Sequence, residues 1–447
     1  MLYLSKKFKY ICFILSIIFI FFFAILANLS LLKGFFLLGF FLLAMFLFLK
    51  PFFGLLFLIV LRPAIDRIGT ETFLQGTDFS LNYNGVLAVL VLIWGGAMLF
   101  MRRKDLKKMP AFLPISLFGI LALLTLFWTP VFANGLREFL RISSIFIFYA
   151  VAFVLVQSKA QFRKLISAFI AASIVPLGAS LWQFYKGEGE VIFGEYFRRI
   201  YGSFFYPNSL AFFLVFVIAL LLLLAYQAKE KQSKILYGTL GIAFFFVLLK
   251  TYTRGAWMGA LVVFLIFSLF RFRKLLLCGL IFLVLIYIFA PTLQLQERIG
   301  DIVRLEPFSS LMWRFRLWKN TMPFFFEKPI LGHGLSSFQV LSRDIQGLSL
   351  LPAPEAHNDY LKILIETGAI GLIIYISVYL KLLVFNLGIC LKSKEKYLKD
   401  ISFLAVLLLA TFLIMAFGDN ILRGTATQWA LFAYLGGVSS LTVGRKL

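Results

Sequence analysis

Apolar runs of about 20 residues recur along almost the whole chain of 447 residues. A run of that length, wound as an α-helix, spans the hydrocarbon core of a bilayer. Fourteen candidate spans can be counted, of which residues 52–61 are too short to cross fully as a regular helix. Hydrophobic residues make up 62% of the chain, far more than in a typical soluble domain. The sequence therefore predicts an all-α, polytopic membrane protein with about 12–14 transmembrane helices.

The formal net charge of +24 would suit a nucleic-acid partner, but the basic residues form short clusters between the candidate spans. Alternate threading of the spans puts these clusters, such as residues 102–108, 229–234 and 392–399, on the same side as the N-terminus. Basic residues concentrate on the cytoplasmic side of membrane proteins. Membrane topology thus explains the charge. We expect both termini in the cytoplasm, the lipid bilayer as a partner and no nucleic acid.

In this threading the long connections lie on the outer side, and residues 292–357 form the longest one. Loops of that size are usually functional. We expect one integral membrane domain with transmembrane helices over residues 1–291, a large extracytoplasmic loop with short helices over 292–357, and further transmembrane helices over 358–447. In the loop, SSLMWRFRLWKN (309–320) has helical spacing and interleaved basic residues, which suits a helix in the membrane interface or a simple anchor.

His357 is one of only two histidines and lies in PEAHNDYLKILIETG, residues 354–368. Pro352 and Pro354 block an earlier helix, so a span begins near Asn358, with His357 in its first turn or just before it. A helix N-terminus favours anions and disfavours the imidazolium, so a neutral His357 could act as a general base beside a bound phosphate. A histidine that only caps the helix or bonds a carbonyl fits the same pattern.

Two further features belong to this region. Glu366 follows His357 by nine residues, about 900 degrees of helical rotation, so the two side chains point to opposite faces and form no direct dyad. We expect Glu366 to pair with a buried arginine or a neighbouring helix. Gly332 and Gly334 form a Gly-x-Gly turn in EKPILGHGLSSF, where backbone can approach a ligand closely.

Several arginines lie next to candidate spans on the outer side. Arg254 lies in a tight connection, TYTRGAWMG, while Arg198 and Arg199 precede Gly202 and the next span. Arginine binds phosphate as a rigid multidentate fork, so two or three converging arginines would form a pyrophosphate cradle. Alternatively, an arginine at a span end extends its charged group to the membrane surface without binding a ligand. For Arg198, considered by itself, this alternative is favoured.

The sequence contains no Asp-x-Asp pair, Walker-type loop or Rossmann fingerprint. Nothing therefore supports a site for ATP or a nucleotide sugar. Two histidines and dispersed carboxylates do not make a metal site. We expect no metal and no cofactor, and a donor substrate that arrives already activated.

The run PILGHGLSSF followed by AHNDYLKILIETGAIGLI, preceded by RFRLWKN, TYTRGAWMG and RRIYGSFFYPNSLAFF, resembles the O-antigen ligase and O-antigen polymerase superfamily of bacterial envelope proteins. These motifs extend from about residue 195 to residue 375. The resemblance implies glycan transfer from undecaprenyl pyrophosphate to an acceptor hydroxyl, without metal or nucleotide, on the periplasmic side of the bacterial inner membrane. In-line attack opposite the leaving group would invert the anomeric centre.

The resemblance also implies roles for individual residues. His357 is the base that deprotonates the acceptor, and Arg254 holds the pyrophosphate. Arg199, or Arg198 with an ambiguity of one residue, matches a second phosphate-binding arginine, and Arg314 is a looser match. Asn358 and Glu366 orient the loop and helix rather than react, and Gly332 and Gly334 are further supporting positions.

Three functions remain open at this point. The leading hypothesis is a ligase that transfers the glycan to lipid A-core. The close alternative is a polymerase that elongates the growing glycan on the same carrier. An anion transporter is the third, and it should carry ionisable residues in mid-span, for which Arg141 and Lys381 are the main candidates.

Overall fold

The computed structural model describes residues 31–75, 80–191, 198–277, 279, 310–345 and 355–443. Within these residues the regular structure is almost entirely helical, which confirms the predicted all-α class. The strands of the described residues form two short antiparallel pairs. They are Thr72–Gln75 (β1) with Ser80–Asn82 (β2), and Glu190–Val191 (β3) with Arg198–Arg199 (β4).

The α-helices of the described residues are numbered here in chain order. They are Leu31–Leu49 (α1), Pro51–Ala64 (α2), Tyr83–Met101 (α3), Arg103–Leu106 (α4), Phe112–Leu124 (α5), Phe132–Leu155 (α6), Lys159–Ala172 (α7), Ile174–Lys186 (α8), Pro207–Gln227 (α9), Lys231–Lys250 (α10), Arg254–Phe270 (α11), Ser310–Glu327 (α12), Ser337–Leu341 (α13), Asp359–Lys392 (α14), Lys396–Ala416 (α15) and Thr425–Thr442 (α16). Short 3-10 helices lie at Ile68–Thr70, Thr125–Phe127, Ser342–Asp344 and Ile421–Arg423.

Seven helical segments among the described residues are long and apolar enough to cross a membrane. They are Tyr83–Met101, Phe132–Leu155, Lys159–Lys186, Pro207–Gln227, Lys231–Lys250, Asp359–Lys392 and Lys396–Ala416. In the same part of the chain four apolar helices are shorter: Gly34–Leu49, Pro51–Ala64, Phe112–Phe127 and Arg254–Phe270. The prediction of a polytopic helical membrane protein is confirmed. The predicted span at 10–29 and most of the one at 275–291 lie outside the described residues.

Helices α6 and α16 form the most closely packed pair at the centre of the bundle. The rings of Phe148 and Trp429 stack with centroids 4.2 Å apart, and the Tyr149 and Ser439 hydroxyls lie 3.1 Å apart. A Cβ atom at Gly436 would collide with the backbone of Tyr149, so glycine is what lets the helices approach. Small residues commonly allow such contact between membrane helices, where packing rather than water exclusion drives association.

Different connections between helices meet at the two ends of the bundle. At one end Arg271 pairs with Asp400 at 3.2 Å, and Lys159 pairs with Glu395. These contacts bring together residues 159–164, 271–274 and 392–399, three basic connections that the alternate threading places on one side. At the other end the connections between helices contact one another: Arg67 N–H donates to the Ser203 carbonyl at 3.1 Å. The candidate site lies at this second end.

Candidate active site

His357 lies just before helix α14. Asn358 is the N-cap residue, and its Oδ1 accepts a hydrogen bond from Leu361 N–H at 3.0 Å. His357 itself has a positive φ of 47°, which costs a non-glycine residue about 1–3 kcal/mol, and residues strained in this way cluster at active sites, ligand clamps and switch regions. Its side chain is 27% exposed, so a substrate can reach the ring.

Asp419, in the connection between α15 and α16, is the carboxylate partner of this histidine. Its Oδ1 lies 3.4 Å from Nδ1 of His357 and also accepts from Asn420 N–H at 2.8 Å. An ionised carboxylate only accepts hydrogen bonds, so Nδ1 of His357 carries the proton in this contact. Nε2 is then the basic nitrogen and can accept a proton from a substrate.

The charge of Asp419 is held by its surroundings. Burial by itself raises the pKa of Asp419, but the hydrogen bond from His357, the charge that its ring carries when protonated, the charge of Arg314 and the Asn420 N–H bond together bring it below the ordinary value. Arg314 NH2 lies 3.8 Å from Asp419 Oδ2, and Arg314 NH1 donates to the Gly418 carbonyl at 2.5 Å. Arg314 therefore fixes this connection from the side of helix α12.

Arg199 and Arg198 differ sharply in environment, because successive side chains of a strand point to opposite faces. Arg198 is exposed, whereas Arg199 is buried. Arg199 Nε donates to the Thr251 carbonyl at 2.9 Å, and its NH2 donates to Thr253 Oγ1 at 3.1 Å and to Asn208 Oδ1. Arg199 is thus the member of the pair that lies in the site.

Arg254 is held by the connection next to Arg199. Only three residues, 251–253, join α10 to α11, and Tyr252 has a positive φ of 51°. Arg254 is the first residue of α11, directly after Thr253, and is half-buried. Its side chain is therefore attached at the N-terminus of α11, where the helix dipole favours an anion.

Asn208, the second residue of α9, joins these groups. Its Nδ2 donates to Asp419 Oδ2 at 2.7 Å, and its Oδ1 accepts from Thr253 Oγ1 at 3.2 Å as well as from Arg199. Side-chain hydrogen bonds thus lead without a break from the turn before Arg254 to His357. The structure brings together Arg199, Arg314, His357 and the turn that carries Arg254.

Glu366 belongs to a separate buried cluster on helices α6 and α14. Its carboxylate is fully buried and lies 3.6 Å from Lys362 Nζ, one turn earlier on the same helix. Lys362 also pairs with Glu138, which in turn pairs with Arg141. Two acidic and two basic side chains therefore lie together inside the bundle. The nearest partner of Glu366 is a lysine, where the sequence suggested an arginine or a neighbouring helix.

A sharp break interrupts α14 at Gly368, which has φ 68° and ψ −173°. Residues 329–334 supply the hydrogen bonds that the helix loses there: Ala369 N–H donates to the Pro329 carbonyl at 2.8 Å, and the Ile365 carbonyl accepts from His333 N–H at 3.0 Å. Irregular backbone within a membrane protein is tolerated where the protein satisfies it in this way.

Gly332 and Gly334 make that pairing possible. A Cβ atom at Gly332 would lie 2.5 Å from the Glu366 carbonyl carbon, and one at Gly334 would lie 2.6 Å from Thr129 Cα. The turn therefore approaches the protein's own backbone, where the sequence had indicated the approach of a ligand. Its hydrogen bonds hold α14 at Ile365 and Glu366, about two turns after His357.

Asp419 and Asn208 were not predicted as site residues. Each carried a weak signal, since Asp419 is a carboxylate at the end of an apolar span and Asn208 follows Pro207 at the start of another. Neither position reveals its partner, because the contacts join segments 211 residues apart. Among the described residues, no group of three or more His, Cys, Asp or Glu side chains could hold a metal ion.

Residues 239–376 match the family model described as O-antigen ligase. The matched range includes Arg254, Arg314 and His357, while Arg199, Asn208 and Asp419 join the site from outside it. The resemblance seen in the sequence motifs is confirmed over this range. Among curated proteins, no match to the chain was found.

Proposed function

We propose that this protein is a glycosyltransferase that moves a glycan from undecaprenyl pyrophosphate to an acceptor hydroxyl, and that lipid A-core is the acceptor. The family match over residues 239–376 supports the reaction class. The observation that carries the proposal is the contact of His357 with Asp419, joined through Asn208 to Arg199 and to the turn before Arg254. This arrangement places a base next to a cationic region. Transfer of a glycan from pyrophosphate needs both, a base for the acceptor hydroxyl and positive charge for the leaving anion.

The proposed reaction is a single displacement. The acceptor hydroxyl gives its proton to Nε2 of His357, and its oxygen bonds to the anomeric carbon. The bond from that carbon to the pyrophosphate breaks, and the electron pair leaves with the pyrophosphate, inverting the anomeric centre. Asp419 keeps the Nδ1 proton in place and stabilises the imidazolium that forms. A positioned base of this kind contributes about 10²- to 10⁴-fold in rate.

Arg254 is the arginine we assign to the leaving pyrophosphate. Its position at the N-terminus of α11 combines a guanidinium with a helix dipole of the right sign. Contacts that strengthen as charge develops on the leaving group lower the barrier. Arg199 and Arg314 both donate hydrogen bonds to protein groups. We therefore assign Arg199 to holding the turn before Arg254 and Arg314 to holding the connection that carries Asp419. Both also add positive charge to the site.

We further propose that the site faces the periplasm from the bacterial inner membrane, with both termini in the cytoplasm. It lies at the end of the bundle opposite Arg271 and Lys159, and basic connections mark the cytoplasmic side. In a background without the native cysteines, Ile345→Cys should react with an impermeant thiol reagent added to whole cells. Cys390, retained alone, should react only after lysis. The reverse pattern would overturn the orientation.

The transfer itself is tested with purified protein and a carrier-linked glycan, offered with and without lipid A-core. A ligase forms product only when lipid A-core is present. Lengthening of the carrier-linked glycan without lipid A-core would replace the ligase by the polymerase alternative. No covalent product in either mixture, together with movement of the glycan across vesicles, would overturn the transferase proposal in favour of transport.

The two mid-span cations named as transporter candidates bear on that last outcome. Arg141 pairs with Glu138 inside the bundle, whereas the side chain of Lys381 is exposed on the outer surface of the bundle. Neither lies in the connected group around His357. Their placement supports the transferase over a transport path.

A further inference from the structure

The side chain of Asn208 is engaged at both of its ends. The carbonyl oxygen accepts from Arg199 NH2 and from Thr253 Oγ1, at 3.2 Å for the latter. The amide nitrogen donates to Asp419 Oδ2 at 2.7 Å. Only this rotation of the amide places its acceptor against two donors and its donor against a carboxylate. Neighbouring groups therefore define the orientation of Asn208 completely.

The groups on either side of Asn208 have different tasks in the proposed reaction. On one side, Arg199 holds the turn of residues 251–253 that carries Arg254. On the other side, Asp419 contacts His357 and Arg314. We call these the arginine side and the histidine side. They come from distant parts of the chain, and Asn208 contacts both.

We propose that Asn208 is a positioning residue that couples the arginine side to the histidine side, so that binding of the donor pyrophosphate helps to place the base. This inference rests on the proposed glycan transfer. A neutral amide suits the task because it offers an acceptor to Arg199 and a donor to Asp419 at once. Alanine would leave both groups with a missing partner, which is costly when they are buried. Aspartate would set two carboxylates against each other.

The coupling can be measured without substrate, as a double-mutant cycle on the melting temperature in detergent. Arg199→Ala and Asp419→Asn should lower it non-additively in the native background, because both act through Asn208. In the Asn208→Ala background the two losses should add. If Arg199→Ala does not fold, Arg199→Lys takes its place in the cycle. Ser209→Ala, the neighbouring position on the same helix, should leave the native coupling intact. Equal coupling in the native and Asn208→Ala backgrounds would overturn the proposal.

Transfer kinetics give a second readout that a purely structural role would not move. Asn208→Ala should lower kcat by about 10²-fold and raise KM for the carrier-linked glycan, while KM for the acceptor stays unchanged. Loss of folded protein alone would lower the rate and leave both KM values as they were, and that result would contradict positioning.

A conservative variant makes the test sharper. The Asn208→Asp carboxyl, once protonated, can donate to Asp419 and accept from Arg199 as the amide does. Its activity relative to the native protein should therefore rise as the pH falls, whereas that of Asn208→Ala should stay constant. A constant ratio for both variants would count against the inference. If the native protein transfers no glycan, the proposed function fails, and the melting-temperature cycle still decides the coupling.

Discussion

Nδ1 of His357 lies 3.4 Å from Oδ1 of Asp419, a residue 62 positions further along the chain. The contact places the Nδ1 proton between ring and carboxylate and leaves Nε2 as the basic atom. A histidine that only capped helix α14 would not need a carboxylate in this position, and Asn358 already supplies the cap. The pair therefore favours the general-base role over the capping role for His357.

The substitution Asp419→Asn keeps the shape of the side chain and removes its charge. The imidazole then loses the charge that stabilises its protonated form. Its tautomer is also fixed less strictly, because an amide can present either its oxygen or its nitrogen to Nδ1. We expect kcat for glycan transfer to fall by about 10²-fold or more, with KM for the carrier-linked glycan changed little. Asp105→Asn, at the half-buried Arg102–Asp105 pair outside the site, is the matched control and should transfer at the native rate. A native rate for Asp419→Asn would remove Asp419 from the mechanism.

The lowered pKa of Asp419 predicts how its contribution to stability depends on pH. A carboxyl whose folded pKa lies below the unfolded value of about 3.9 stabilises the fold fully above that value and loses this contribution as the pH falls through the folded pKa. The melting-temperature difference between the native protein and Asp419→Asn should thus be largest near neutral pH and shrink on acidification. A difference that grows as the pH falls would mean that the pKa is raised.

Arg198 and Arg199 form a natural matched pair of adjacent residues. Arg199→Ala removes donors to Thr251, Thr253 and Asn208, so the turn before Arg254 loosens and transfer should fall by about 10-fold to 10²-fold. Arg198→Ala changes an exposed side chain and should transfer at close to the native rate. The two variants are compared by their rates of glycan transfer in vitro, normalised to the amount of folded protein. Equal losses in the two variants would show that general positive charge matters rather than this network.

The buried cluster of Glu138, Arg141, Lys362 and Glu366 predicts an effect on stability. Lys362→Met leaves Glu138 and Glu366 buried with one cation fewer, and breaking a buried ion pair from one side costs about 3–5 kcal/mol. Thermal denaturation in detergent should show a large fall in melting temperature. The same substitution at exposed Lys381 is the control and should change it little. Similar melting temperatures for the two variants would mean that the cluster contributes no stability.

The sequence predicted the membrane helices and the place of His357 because both depend on local signals. Apolar runs identify spans, and the prolines before Asn358 mark where helix α14 begins. The choice between Arg198 and Arg199 was out of reach, since the two residues pair as a strand of only two residues and differ only in which face is buried. Asp419 and Asn208 act through contacts between distant segments, which no local pattern encodes.

The Gly-x-Gly turn illustrates the same limit from another direction. The sequence predicted that backbone approaches a ligand closely at Gly332 and Gly334, whereas in the structure the turn approaches the protein's own backbone. The break at Gly368 explains this approach, because its unsatisfied backbone groups need partners and the turn provides them. A local signal gave the conformation, and only tertiary structure gave the partner.

Chemical rescue of His357→Ala tests the central claim most directly. Removing a side chain that is 27% exposed leaves room for added imidazole to enter from solvent. Purified His357→Ala should transfer glycan at least about 10²-fold more slowly than the native protein, and added imidazole should restore transfer in a saturable way. The same imidazole should not restore transfer by Arg254→Ala, because that variant lacks the arginine that stabilises the leaving pyrophosphate. Native-rate transfer by His357→Ala without imidazole would contradict the account.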